Sequence, residues 1–157
     1  MAELTERHLW PADNCSVAAA LEEVGTRSAL LMLREAFYGT RRFDEFARRV
    51  GITDAAAATR LSQLVDRGLL ERRPYREPGQ RTRQEYRLTQ KGRDLFVALV
   101  ALMDWGDRYL APAAGPAVLL SHRDCGAPVH ATVVCAAGHE VTARDTHADP
   151  GPGSAVG

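Results

Sequence analysis

Two runs decide how this chain is read: Phe43-Asp44-Glu45-Phe46-Ala47-Arg48-Arg49-Val50-Gly51, and Thr53-Asp54-Ala55-Ala56-Ala57-Ala58-Thr59-Arg60-Leu61-Ser62-Gln63-Leu64-Val65 just after it. In the first, apolar residues at 43, 46, 47 and 50 fall on one helical face, and Asp44 and Glu45 occupy the first turn, where the helix dipole favours acids. Gly51 ends that helix. Thr53 or Asp54 can cap the next, whose stripe of Leu61, Leu64 and Val65 runs until Gly68. Helix, short glycine-containing turn, helix is the pattern of a helix-turn-helix. Leu69-Leu70-Glu71-Arg72-Arg73 and Glu85-Tyr86-Arg87-Leu88 then read as two strands, the second alternating with period two, around the basic tip Pro74 to Arg83.

Working outward, Val17, Ala20, Leu21 and Val24 recur at helical spacing before Gly25 and predict a first helix near 15 to 24. The run from Ala29 through Leu33 to Phe37, closed by Gly39, predicts a second, largely buried one. Beyond the hairpin, Thr89 caps a long helix in which Leu95, Leu99, Leu102, Met103 and Tyr109 form a stripe that Phe96 and Val100 widen. A stripe that wide exceeds what one small domain covers, so part of it is expected to pack against a second copy of the chain, with Trp105 among the anchors. The resulting map is a flexible arm over 1–14, a helix-turn-helix and dimerisation domain over 15–110, a small extension over 111–148 and a Pro/Gly-rich disordered tail over 149–157. The fold class is mainly α with a small β-wing.

The chain has 157 residues, 45% hydrophobic and 25% charged, enough to bury a core and too apolar for a disordered polyelectrolyte. Apolar runs are short and the start lacks a secretory pattern, so a soluble, cytoplasmic protein with no membrane partner is expected. Twenty basic and twenty acidic residues cancel overall, yet Arg41 to Arg93 holds fourteen Arg or Lys against seven Asp or Glu. Basic charge concentrated in the segment that reads as helix-turn-helix and hairpin points to nucleic acid. On the exposed hairpin, Arg72, Arg73, Arg76, Arg81 and Arg83 are placed to neutralise phosphates, an attraction that falls with salt and carries little sequence information.

These residues resemble the HxlR-type branch of the MarR-like winged-helix regulators. The resemblance covers about residues 15 to 110. It rests on Cys15-Ser16-Val17, Leu31-Met32-Leu33-Arg34, Gly39-Thr40-Arg41-Arg42-Phe43-Asp44-Glu45-Phe46, Arg60-Leu61, Gly68-Leu69-Leu70-Glu71-Arg72, Glu85-Tyr86-Arg87-Leu88-Thr89 and Asp104-Trp105-Gly106. It implies a sequence-specific transcriptional regulator, more readily a repressor than an activator. The helix near 54 to 67 would enter the major groove, the hairpin tip would lie along the minor groove or backbone, and two copies would read a pseudo-palindromic operator. Four consecutive alanines depart from the family, which often carries Lys or another polar residue where Ala55 stands. Thr53, Thr59, Arg60 and Gln63 remain for base edges, with Ala and Thr methyls available to thymine; Arg60 has the alternative of pairing with Asp44 or Glu45.

Two further features are candidates for regulation or structure. Cys15 stands where some HxlR-type regulators sense quinones, hypochlorite or other electrophiles, and it follows Asn14, a candidate cap, at a helix start that favours thiolate; the alternative is a small buried cysteine. The effector is then an oxidant or a small molecule. In the extension, His122-x-x-Cys125 and Cys135-x-x-x-His139 have the residue types and short spacings of a tetrahedral zinc site. Some HxlR-type proteins carry an appendage resembling a zinc ribbon, with a Cys-x-x-Cys-Gly knuckle whose second cysteine is missing here. Either His139 replaces it, or the appendage is a degenerate hairpin without cofactor, with Val129, Val133, Val134 and Val141 as strand residues; the degenerate hairpin is the favoured reading.

Cys135 with His130 or His139 has the residue types of a nucleophile and its base, but no phosphate loop, nucleotide turn, nucleophile elbow or HExxH pair accompanies it, so no enzyme is expected. The alternative to a DNA-binding regulator is a winged-helix interaction or ligand-binding module without DNA readout, which the alanine-rich helix suggests.

Overall fold

The computed structural model describes residues 14–76, 78, 79, 81–149 and 151–153. The arm expected over 1–14 therefore lies outside the described residues apart from Asn14, as do position 150 and residues 154–157 of the expected tail. Among the described residues the order is α1 (Ser16–Val24), α2 (Arg27–Phe37), α3 (Phe43–Val50), α4 (Asp54–Asp66), β1 (Leu70–Tyr75), β2 (Arg83–Leu88), α5 (Gln90–Asp94) and α6 (Phe96–Leu110). None of these helices is long and apolar enough to cross a membrane.

The core gathers where α2, α3 and α4 meet. Met32 and Leu33 of α2, Phe46 of α3, and Ala57, Leu61 and Leu64 of α4 are fully enclosed and hold the helix-turn-helix together. Thr26 caps α2 by accepting the Ala29 amide at 3.2 Å, and Thr53 caps α4 by accepting the Ala56 amide at 3.2 Å. The turn between α3 and α4 needs Gly51, whose φ of 71° is a left-handed conformation that a side chain disfavours. Gly25 ends α1 for a different reason from the expected one: its φ of −69° is ordinary, but a Cβ there would collide with the Leu21 carbonyl.

The hairpin is antiparallel, with Leu70 opposite Leu88 and Tyr75 opposite Arg83, so the strands run further into the basic segment than the alternation suggested. Pro74 is tolerated because a two-stranded sheet consists of edges. The Tyr86 amide donates to the Arg41 carbonyl at 2.8 Å, and the Tyr86 ring meets Phe46 edge-on at 6.1 Å, fixing the wing to the α2–α3 turn and to the core. Thr40 of that turn donates its hydroxyl at 3.4 Å to a buried carboxylate, Glu35 of α2, which Arg34 bridges at 2.6 Å.

The single long helix expected after Thr89 is broken. Thr89 caps only α5, by accepting the Gly92 amide at 3.1 Å, and the chain turns at Leu95 before α6 begins. Gly92 presses against the Leu69 carbonyl so closely that no Cβ fits, while Leu99 and Val100 enter the core of the same chain. Leu99, expected at a dimer interface, is only 8% exposed and is committed to its own core. Leu95 packs on that core as well, and Met103 receives the Tyr38 hydroxyl at 3.5 Å.

Beyond α6 the extension forms two minimal hairpins, bridged at Ser121 and Pro128 and at Val134 and Glu140. Asp104 of α6 pins it by accepting the Ala131 amide at 2.7 Å and by pairing with His130 at 3.4 Å. The amide first, and the histidine after it, hold the Asp104 carboxyl below the usual carboxylate range.

Gly92→Ala is expected to destabilise the protein by about 1–3 kcal/mol through overpacking. Gly106→Ala, placed within α6 where a Cβ meets nothing within 4 Å, is expected to stabilise by up to about 1 kcal/mol. Urea denaturation of the two variants against the parent measures the contrast.

Candidate nucleic-acid interface

Burial of Ala57, Leu61 and Leu64 turns the opposite face of α4 to solvent, where Ala55, Ala58 and Thr59 are exposed in its N-terminal half. The four expected base readers lie on or beside this face, and all four are engaged within the chain. Thr53 caps the helix, and Thr59 donates its hydroxyl to the Ala55 carbonyl at 3.0 Å. Arg60 donates to Ser28 of α2 at 3.0 Å and to the Gln63 side-chain oxygen at 2.6 Å, rather than pairing with Asp44 or Glu45.

The wing projects beside α4. Arg72 reaches the Ser62 hydroxyl at 3.5 Å, which joins the first strand to α4. Arg73 is bridged to Glu71 at 2.7 Å, so part of its charge is answered on the wing itself, although exposure leaves that pair weak. Arg76, Arg81 and Arg83 stand at the exposed tip around Gly79, whose φ is 78°. A cluster of guanidinium groups on a projecting hairpin is suited to a polyanion.

The sequence reading missed Arg42. Its guanidinium stacks over the Tyr75 ring at 5.2 Å, and both residues line a groove with Asp44, Arg83 and Gln84 where the wing joins α3. No local pattern announces this pairing, because strand and helix cap lie far apart in the chain.

The expected interface residues divide by face. Leu102, Trp105 and Tyr109 are exposed on α6, Trp105 and Tyr109 at 57% and 62%, with their rings 5.5 Å apart. On α1 the apolar positions Val17 and Leu21 are exposed too, and of that helix only Val24 enters the core. Cys15 is the N-cap of α1, exposed rather than buried, and its side chain makes no capping bond. Asn14 does not cap the helix; it donates to the Gly153 carbonyl at 2.8 Å.

In the extension, His122 Nδ1 faces the Cys125 sulfur at 3.2 Å, whereas Cys135 and His139 are joined through their backbones. Among the described residues no three His, Cys, Asp or Glu side chains converge on a metal position.

Recognition helix, turn and two-stranded wing define a winged helix-turn-helix protein, a DNA-binding class. The profile of the HxlR-like helix-turn-helix family matches residues 23–114. The chain belongs to that family and is a DNA-binding transcriptional regulator. It is 49% identical over 139 residues to an HTH-type transcriptional regulator of Mycobacterium tuberculosis (strain CDC 1551 / Oshkosh), covering 88% of this chain and 87% of the relative. A match of that length runs into the extension. Among solved structures, PA1607 superposes with a TM-score of 0.78 at 37% identity, over 88% of this chain and 96% of that one. The redox regulator HypR in its oxidized form superposes with a TM-score of 0.54 at 27% identity, over 60% of this chain and 96% of HypR.

Backbone amides of His139, Ala137 and Gly138 point at the Cys135 thiol and lower its pKa from the ordinary thiol value. In a Cys15→Ser, Cys125→Ser background, the iodoacetamide reaction of Cys135 should therefore hold its rate to lower pH than a free thiol does. A profile that coincides with that of free cysteine contradicts the amide cradle.

Proposed function

We propose that two copies of this chain bind a pseudo-palindromic operator as a repressor in the cytoplasm, with α4 in the major groove and the wing tip along the backbone or minor groove. The observation that carries this reading is the placement of the exposed Arg76, Arg81 and Arg83 on a hairpin beside the solvent-facing side of α4. Arg72 and Arg73 extend the basic surface along β1, while Thr53, Thr59, Arg60 and Gln63 lie where α4 meets base edges. Val17 and Leu21 of α1 with Leu102, Trp105 and Tyr109 of α6 form the surface that a second copy covers. Repression follows from occupancy, since a bound dimer obstructs polymerase without further contacts. In this reading the protein acts by occupancy of DNA, without catalysis. The extension serves as a packing hairpin without a cofactor.

The alanine-rich face of α4 favours one second reading, a winged-helix module that binds a protein or ligand instead of DNA. Salt separates the two. Fluorescence anisotropy on duplex DNA from upstream of the gene should give tight binding that weakens steeply between 50 and 200 mM salt, by roughly 10³-fold or more if six phosphates are contacted. Arg81→Ala with Arg83→Ala should weaken binding across all sequences and flatten the salt slope by about 2, one unit for each lost phosphate contact. Salt-independent binding, or none, favours the interaction module.

The signal enters through Cys15 as an oxidant or electrophile. Support comes from an exposed thiol at the start of α1, next to the apolar face of that helix, and from the likeness to HypR, which is described as a redox regulator. A modification there would shift α1 against the second copy and change the spacing of two recognition helices. Diamide is expected to release the protein from DNA, and Cys15→Ser to abolish that release while leaving reduced binding intact. Identical release from both proteins would overturn Cys15 as the sensor and leave Cys125 and Cys135 as the oxidant's targets, whereas binding indifferent to diamide would move the signal to a small-molecule effector.

A further inference from the structure

The polar groups of α4 that belong to a base-reading surface are largely spent inside the protein. Thr59 is occupied as a donor by the Ala55 carbonyl, and Thr53 holds the Ala56 amide. Arg60, the one side chain of α4 with an arginine's reach toward guanine, is turned back onto Ser28 and Gln63. Beyond the exposed carboxylate of Asp54 in the first turn, what the N-terminal half of α4 presents to solvent is methyl groups, those of Ala55, Ala58 and Thr59 at helical spacing, with Ala56 beside them.

We infer that this regulator reads its operator in the major groove through thymine 5-methyl groups, with Ala55, Ala58 and Thr59 as the specificity-determining residues. The inference rests on the DNA-binding reading above and deepens it by naming the base chemistry. The thymine methyl is the sole apolar group on the major-groove edge of a base pair, so a surface of methyls selects it, and A·T with it. Desolvating two methyl groups against each other is favourable without any directional bond. The wing arginines add affinity evenly over all sequences, so discrimination falls to this face. A guanine-reading helix would instead hold its arginine free and extended.

The test begins by enriching duplexes from a random double-stranded pool with the full-length protein, followed by anisotropy on the highest-affinity duplex. Half-sites rich in A·T at the α4 contact are expected. Replacing the thymines of that contact by deoxyuridine, which removes only the 5-methyl, should weaken binding roughly fourfold for each methyl buried. Replacing guanines by 7-deazaguanine, which removes the N7 acceptor, should leave binding within about twofold. Thr59→Ser deletes one protein methyl and keeps the hydroxyl; the loss from deoxyuridine at its partner thymine should shrink in that variant. Tight, salt-dependent binding that ignores deoxyuridine, or that falls with 7-deazaguanine, overturns the methyl reading while the DNA-binding function stands. Failure to enrich any duplex overturns both.

Discussion

The junction of Gly68, Leu69, Thr89 and Gly92 is the constraint from which the rest of the structure takes its geometry. Thr89 donates its hydroxyl to the Gly68 carbonyl at 2.6 Å, its amide to the Leu69 carbonyl at 3.1 Å, and accepts the Gly92 amide. One residue thereby ties the end of α4, the root of the wing and the start of α5. Gly92 completes the closure because only a residue without Cβ can lie against the Leu69 carbonyl. With these groups locked, the strands leave the core in a fixed direction and α6 is aimed across α2, where Phe96 meets Phe37 at 5.4 Å.

The turn at Leu95 lies just beyond the same closure, and α6 follows it with apolar residues on more than one face. Within that one helix Leu99 and Val100 face inward, while Leu102, Trp105 and Tyr109 are exposed. The extension then anchors on α6 through Asp104, a carboxylate answered by an amide and a histidine from the loop it holds. Apolar residues of α6 are thus divided between the core of the chain and its exposed surface.

Division of labour between α4 and the wing has an electrostatic logic. The wing concentrates exposed guanidinium groups, which attract phosphate at a distance and impose no register. On α4 the polar side chains secure the helix to its neighbours: Arg60 to α2, Ser62 to the wing, Thr53 to its own first turn. A rigidly held helix with a smooth methyl face can approach a groove closely, and close approach is what short-range apolar recognition requires.

Much of this was legible in the sequence. Helical spacing of Phe46, Ala47 and Val50, the caps and glycines at Thr53, Gly51 and Gly68, and the alternation at Glu85 to Leu88 each fix local structure through interactions within a few residues. The charge excess between Arg41 and Arg93 was equally local, and the order of motifs identified the family. Side-chain commitments were not legible, because their partners are distant in the chain: Arg60 with Ser28, Arg42 over Tyr75, Asp104 with Ala131. The stripe from Leu95 to Tyr109 was visible as apolar, but periodicity within one helix does not reveal the turn at Leu95. The sequence by itself determined the elements, the wing and the class of protein, since those depend on propensity and period. Tertiary structure alone decided which arginines stay extended, which leucines enter the core and which thiols are exposed, since those depend on what the fold brings within a few ångströms.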